Sequence, residues 1–479
     1  MLDALDTPTL RDDQVADLSF YMRDKRVMNL SDPGAGKTPS VVVFQWYLWS
    51  QLQVGSCWAM PKRLLKKNKR EIHRFTSFKD EDVVIVDGTP KQVAAQLASG
   101  AKVFLMGFRR FTLSWKQMPA FVKALQVDEF HMGFKNANSA ATLALFDAMK
   151  FHFEYFLPMT GTIIDGKLSS AYPAIHIIEP RYYPSAEAFD YQHAIKDYDG
   201  KIIGWQGHDK LAAIFGRHAI RRTFASIFGE QEVVYIPEVV AMNDRQRMMY
   251  DTFHDEALLE LEKFYLDGTQ PGVAFLRARQ LMEHPNEFPD LTSPGKFIDI
   301  MAGEVPGKED LFQIHLEDHI NTGKPLITFS SMVPQQRRLA TMLDKAGRRY
   351  AVINGSTSMK EGNEADLAFQ NGELDDIICS PLCAAVGFNW QWCGKQELDH
   401  MIFTAMDFRD TAFAQGVARA VRGKRKTPLR VSILEYEDSL DQHVLGIIYR
   451  KSLDAHKVDP TKPILQLSGY QKDYSMKDH

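Results

Sequence analysis

Ser31-Asp32-Pro33-Gly34-Ala35-Gly36-Lys37-Thr38 follows the strand-like Val27-Met28-Asn29-Leu30 and precedes a helix expected to begin near Pro39. A glycine-rich turn between a strand and a helix lets successive backbone N–H groups wrap a triphosphate at the helix N-terminus. In that reading Pro33, Gly34, Ala35 and Gly36 form the cradle, Lys37 reaches the β- and γ-phosphates, and Thr38 holds Mg²⁺. Ser31 stands where such loops commonly carry glycine, a small-for-small exchange that leaves room for the turn. The competing explanation is a chance Gly/Pro turn, and the rest of the chain decides between them.

Working outward, VMNL, SCWAM, DVVIV, KVFLMGF, ALQVDEF and YFLPMTGT alternate with amphipathic stretches between Met28 and Thr162. That rhythm predicts βα units and a parallel sheet. It returns from Lys324 in PLITFSS, YAVING, DIICS, HMIFTA and VSILEY. Between the two blocks, DRQRMMYDTFHDEALLELEKFYL and AFLRARQLMEH place apolar residues at helical spacing. The expected organisation is an α/β N-terminal lobe over 1–164, a mainly helical connector over 165–315, a second α/β lobe over 316–450 and a polar tail over 451–479. Asp128 and Glu129 end the strand-like ALQV, followed by Phe130 and His131. At the C-terminal end of a parallel strand, Asp128 is placed to bind Mg²⁺, and Glu129 to orient or deprotonate an attacking water.

Bulk numbers agree with a multi-lobed globular protein. The chain has 479 residues, 45% hydrophobic and 25% charged, more than one core normally holds. The net charge of −4 gives no global attraction for a polyanion, so nucleic-acid contacts must be local. No apolar run reaches membrane-spanning length and the start is acidic and polar, so a cytoplasmic location is expected. Cys379, Cys383 and Cys393 crowd together, with His400 as the nearest fourth zinc ligand; buried free thiols are the favoured reading.

These residues resemble superfamily-two helicases, and within them the Swi/Snf-like branch. Arg11 and Gln14 in Leu10-Arg11-Asp12-Asp13-Gln14 resemble the adenine-reading segment, Asp128-Glu129-Phe130-His131 the DEAH box, and Thr160-Gly161-Thr162 the segment after it. Ile220-Arg221-Arg222-Thr223, Gln280 to Pro285, Pro294-Gly295-Lys296, Lys324 to Ser331 and Ile353 to Thr357 resemble later landmarks in the family's order. Gly387 and Asn389 sit where the family has Gly-Leu-Asn. The resemblance implies two RecA-like lobes with ATP and Mg²⁺ between them. It also implies that Gln415, Arg419 and Arg422 reach the γ-phosphate from the second lobe, and their spacing would put all three on one helix face. Phe130 in the acidic box and the loose Cys383-to-Asn389 segment depart from the pattern.

The resemblance further implies that Lys62, Arg63, Lys66 and Lys67 lie against a nucleic-acid backbone, with Arg109, Ser330, Ser331, Ser356 and Ser380 as weaker candidates. Trp390 and Trp392 suit either base stacking or packing, and packing is favoured. The expected activity is ATP-driven movement on DNA, unwinding or migrating forks and junctions, with RNA as the alternative track. The connector shows no large insert, which favours similarity to compact bacteriophage branch-migration helicases, acting as a monomer in the bacterial cytoplasm beside replication or recombination proteins. Two other readings compete: a motor that strips proteins from nucleic acid, and a non-catalytic nucleic-acid-binding module.

Overall fold

The computed structural model describes residues 9–164, 167–267, 272–384, 387–406 and 410–468. The chain divides into two compact units. The first comprises residues 1–195, 205–230 and 457–461, and the second 196–204, 231–456 and 462–479.

In the first unit, seven strands are found in the main sheet among the described residues. They are β1 (Met28–Asn29), β2 (Gly55–Met60), β3 (Val83–Val86), β4 (Val103–Gly107), β5 (Val122–Asp128), β6 (Tyr155–Met159) and β7 (Ala219–Ile220). They run parallel in the order β3-β4-β2-β5-β6-β1-β7. Every residue of β2 is buried, as a strand covered on both faces requires. Cys57 and Ala59 enter one apolar cluster and Trp58 and Met60 another, so the two faces of the strand feed two separate cores. Helices α1 (Asp12–Tyr21), α2 (Lys37–Leu52) and α3 (Leu65–Phe75) belong to the same lobe.

The second unit repeats the plan with β8 (Val233–Val240), β9 (Leu326–Phe329), β10 (Tyr350–Ile353), β11 (Asp376–Cys379), β12 (His400–Phe403) and β13 (Leu429–Tyr436). Their order is β8-β13-β12-β9-β11-β10, again all parallel. Both units are thus RecA-like α/β lobes.

The contacts draw the boundaries differently from the sequence. Residues 165–315 form no third body; they are shared between the lobes, and two of their segments join the main sheets as β7 and β8. Val233–Val240 pairs with β13 over eight positions yet is only half-buried and contains Pro237, as suits an edge strand. Mixed exposure and a proline hide such a strand from a periodicity reading. The tail also differs: a helix runs from Leu440 to Val458, and Leu465 and Leu467 are buried in the second lobe's core. Residues 469–479 lie outside the described residues.

Candidate nucleotide site and track surface

The loop at 31–38 leaves β1 and ends at the first turn of α2, with Gly34 at φ +83° and Gly36 at φ +81°. Both lie in the left-handed region that glycine tolerates without strain. Lys37 Nζ donates to the carbonyls of Ser31 (2.8 Å) and Asp32 (3.1 Å). Burial holds its pKa below the usual lysine range, against the pull of Glu129, Asp128 and Asp32. Thr38 comes next, as the second residue of α2.

Neighbouring segments brace this loop. Arg11 donates to the Ala35 carbonyl (2.9 Å) and Gln14 Nε2 to the Gly36 carbonyl (3.0 Å). Gln14 Oε1 accepts from the Arg11 backbone N–H and the residue is 3% exposed, so both ends of its amide hold protein backbone rather than presenting an adenine-reading edge. A Cβ on Gly161 would stand 2.6 Å from Pro33 Cδ, which explains glycine in Thr160-Gly161-Thr162. Ser31 Oγ accepts from the Arg222 N–H (3.0 Å), giving the departure from glycine a structural use. Asp32 accepts from Arg221 Nη2 (2.8 Å) and from the Phe224 N–H (3.0 Å). Arg221 also bonds the Leu30 carbonyl, Thr461 Oγ1 (3.0 Å) and Asp459 (2.8 Å).

Asp128 is the last residue of β5, and Glu129 comes after it with φ +49°, a left-handed conformation unusual for a side-chain-bearing residue. Burial and the Glu129 charge raise the Asp128 pKa above the carboxylate range, opposed by Lys37, the Glu129 N–H and the Asn68 side chain. His131 Nδ1 lies 2.7 Å from Thr160 Oγ1 and 3.7 Å from Glu129, joining the acidic box to the segment after β6. Phe130 is fully buried beside Phe134 and Phe156, so the bulky residue in the box fills the core.

In the second lobe the helix carrying Gln415 ends at Val417. Arg419 N–H bonds the Gly416 carbonyl and Ala420 N–H that of Val417, each spanning three residues, so the chain tightens into turns. Gln415, Arg419 and Arg422 therefore do not share one helix face; the expected periodicity stops where Trp390 N–H takes the Arg419 carbonyl (2.9 Å). Gln415 and Arg419 are buried, Arg419 Nε donates to the Gln415 carbonyl (3.1 Å), and Arg422 donates to the Phe388 carbonyl (2.9 Å). Gly387 is exposed at φ +83°, and the Asn389 N–H donates to Asp366. Trp390 is fully buried and stacked on Phe388 (4.9 Å), a packing residue; Trp392 is half-buried under Lys426.

Among the track candidates, Lys62, Lys66, Lys67 and Arg109 are exposed and Arg63 is half-buried. Lys62 pairs with Asp87 (2.7 Å). Ser330 is fully buried and donates to Gln335 (2.6 Å), so it cannot touch a ligand. Ser331, Ser356 and Ser380 come after the C-terminal ends of β9, β10 and β11, which are adjacent strands, and none of the three is buried.

Comparison with known proteins fits this geometry. The SNF2-related domain matches over residues 24–287, more than half of the chain. The chain belongs to that family. It is 24% identical over 447 residues to mouse "Chromodomain-helicase-DNA-binding protein 1-like", covering 90% of this chain and 47% of the relative. It is 22% identical over 355 residues to the "Transcription regulatory protein SNF2" of Saccharomyces cerevisiae, covering 68% and 20% respectively. The chain thus spans less than half the length of either relative. The Hef helicase domain of Pyrococcus furiosus has a similar fold, with TM-score 0.52, 14% identity and coverage of 90% and 97%.

The nucleotide-side residues fit ATP with Mg²⁺. The Lys37 ammonium is held by loop carbonyls, and the Asp128 carboxylate is destabilised by burial and by Glu129, a cost a divalent cation relieves. The zinc alternative has no support. Cys379 and Cys393 donate to backbone carbonyls, His400 lies against His319 and Ser432, and no metal-holding group of three or more His, Cys, Asp or Glu occurs among the described residues. Nor is any helix among them long and apolar enough to cross a membrane. Sequence reasoning gave Arg221 no role and passed over Asp32 as a bracing residue; an acid beside the loop and an arginine in a family landmark were the available signals.

Proposed function

We propose that this chain is an ATP hydrolase that converts phosphoryl transfer into movement along DNA, and that it unwinds or migrates forked and junction DNA. The observation that carries the reading is the electrostatic grouping of Lys37, Asp128 and Glu129 at the C-terminal edge of a parallel sheet in an SNF2-related chain. Phosphoryl transfer asks a protein mainly for positioning and charge neutralisation. Backbone N–H groups of 34–38 receive the phosphates, Lys37 leaves its loop carbonyls to pair with the β- and γ-oxygens, and Glu129 aligns the water. Thr38 and Asp128 would hold Mg²⁺, which would supply further charge neutralisation. Gln415, Arg419 and Arg422 complete the site from the second lobe, so that hydrolysis is tied to closure and release opens it. Arg11, Gln14 and His131 support the nucleotide through the loop and the acidic box, and Gly387 and Asn389 belong to the second lobe's share. Lys62, Arg63, Lys66, Lys67, Arg109, Ser331, Ser356 and Ser380 meet the nucleic-acid backbone without reading sequence.

Absorption of residues 165–315 into the two lobes supports a compact motor of the bacteriophage or bacterial branch-migrating kind. The test is ATPase activity against single strands, duplexes, forks, four-way junctions and RNA. Forks or junctions should stimulate most; equal hydrolysis with and without every nucleic acid would end the reading. A 22%-identical relative from Schizosaccharomyces pombe is named a chromatin-remodeling complex subunit, which favours a second reading in which the same motor strips proteins from DNA. Strand displacement on naked forked DNA separates the two.

A further inference from the structure

The short helix Phe224–Phe228 carries three large apolar residues, Phe224, Ile227 and Phe228, yet none of its residues is buried. Contiguous apolar surface rimmed by polar groups is the kind that marks a ligand site. Phe224 and Phe228 are four residues apart, so they share one helix side, and their ring centres meet at 4.6 Å with a tilt of 36°. The helix is fixed to the phosphate loop. Thr223 caps it by accepting from the Ser226 N–H (3.0 Å), the Phe224 N–H donates to Asp32 Oδ2 (3.0 Å), and the Arg222 N–H to Ser31 Oγ (3.0 Å). Further along the loop, Arg11 donates to the Ala35 carbonyl (2.9 Å), and its guanidinium carbon stands 5.8 Å from the centre of the Phe228 ring. A Cβ on Gly36 would lie 3.0 Å from Arg11 Nη2, so the guanidinium rests against the residue just before Lys37. The Arg11 side chain is still 41% exposed. A phenyl ring and a guanidinium, both open to water, thus stand together beside the loop.

A nucleotide whose phosphates occupy the loop needs a partner for its base. Reading the base edge takes uncommitted donors and acceptors, and Gln14 commits Nε2 to the Gly36 carbonyl and Oε1 to the Arg11 N–H at 3% exposure. An aromatic ring accepts any base through its π-face, and a guanidinium stacks on such faces too. We propose that Phe228, backed by Phe224 and flanked by Arg11, stacks on the base of the bound nucleotide, so that the site takes purine nucleotides by the face of the base and accepts guanine as well as adenine. The inference rests on the phosphate-loop reading of residues 31–38 and adds the chemistry that selects the base. Purines are favoured over pyrimidines because the fused ring covers more apolar surface.

The test is calorimetric binding of ADP, GDP and inorganic tripolyphosphate, each with Mg²⁺, to the full chain and to its Phe228→Leu and Phe228→Tyr variants. Phe228→Leu keeps an apolar side chain and removes the aromatic face, which Phe228→Tyr retains. ADP and GDP should bind the parent protein with Kd values within about tenfold of one another. Phe228→Leu should weaken both about tenfold, within the range for one base stacked on an aromatic side chain, and leave tripolyphosphate within about twofold. Phe228→Tyr should bind all three as the parent does. A preference for ADP over GDP beyond about tenfold, as hydrogen bonding to a base edge produces, overturns the inference. So does parent-like ADP affinity in Phe228→Leu, and so does an equal loss of tripolyphosphate, which would make Phe228 a support of the loop. The ADP-to-GDP ratio needs no variant, so it decides the matter if Phe228→Leu fails to fold. A parent protein that binds none of the three probes would instead remove the phosphate-loop reading itself.

Discussion

Replacing Arg221 by alanine tests whether the phosphate loop is held by its neighbours or by its own turn. The guanidinium makes an ion pair with Asp32 (2.8 Å), another with Asp459 (2.8 Å), a bond to Thr461 Oγ1 and one to the Leu30 carbonyl. Arg221, Asp32 and Asp459 side chains are 16%, 24% and 26% exposed, so solvent compensates part of any loss. Breaking a fully buried pair costs about 3–5 kcal/mol; with this much water access, about 2–3 kcal/mol is the appropriate scale. For a lobe of this size that lowers Tm by roughly 4–12 °C. Asp459→Ala leaves the Asp32 pair intact and should cost about 1 kcal/mol. Arg221→Lys should fall between, because one ammonium cannot span all four acceptors.

The functional consequence depends on which atoms are released. Arg221 grips the residue before Ser31 and the side chain of Asp32, and the Ser31 and Asp32 carbonyls both hold Lys37. A loosened loop must be ordered by the nucleotide, so KM for ATP should rise about fivefold, near 1 kcal/mol, with kcat little changed. Thermal melts and steady-state ATPase assays measure both. Unchanged Tm and KM in Arg221→Ala would refute the bracing argument, and a fall in kcat at constant KM would place Arg221 in the chemistry instead.

Lys37→Ala and Glu129→Gln should each lower kcat by at least about a hundredfold, and Arg419→Ala or Arg422→Ala by a smaller factor, all read from phosphate release with saturating DNA. Gly161→Ala should raise KM for ATP and lower Tm, because a Cβ there meets the Pro33 ring at 2.6 Å; a neutral substitution would show that the loop yields freely. The second lobe should weaken in acid. Burial lowers the His319 pKa to about 4 and that of His400 to about 2, whereas both titrate near 6.5 when unfolded. The unfolded state therefore binds more protons below pH 6.5, and stability falls from there towards pH 4, by about 2 kcal/mol per histidine at pH 5. Urea midpoints at pH 7.5 and 5.0 check this, and His319→Gln should remove about half of the drop.

Strands fully covered by packing were legible in the sequence, because their apolar runs need no context. VMNL, SCWAM, ALQVDEF, PLITFSS and HMIFTA all supply strands of the two sheets. What escaped was decided by tertiary contacts. Val233–Val240 reads as nothing in particular until β13 offers it eight partners. The Gln415-to-Arg422 spacing promised a single helix face, but local spacing cannot register that Trp390 claims the Arg419 carbonyl and ends the helix. Ser330 illustrates the same limit: a hydroxyl after a strand looks available until Gln335 is found beneath it. The strand-turn-helix at 31–38 was legible because its left-handed glycines lie in one short run of residues that sequence specifies directly. Its brace Arg221 was not, because it acts across a long stretch of intervening chain.

The proposed track contacts and the nucleotide-side carboxylate lie at neighbouring strand ends, which bears on how the proposed motor would couple them. In the first lobe the basic segment comes after β2, Arg109 after β4, and Asp128 ends β5, and these three strands are adjacent in the order β4-β2-β5. Neighbouring strands lie about 4.8 Å apart. A track contact proposed after β2 is therefore one strand spacing from the carboxylate it would influence, and no long relay is needed. The close-packed interior makes this economical, since a segment seated on the sheet moves as a body rather than deforming gradually. Coupling between track and nucleotide within the lobe should then be sensitive to substitutions at the buried side of α3 and insensitive to substitutions of similar size on the far edge, such as Val84 in β3. Measuring DNA stimulation for Val84→Ala beside Ile72→Ala, on the buried side of α3, decides it: comparable losses at both positions would mean that the whole sheet, and not the adjacent strand end, carries the signal.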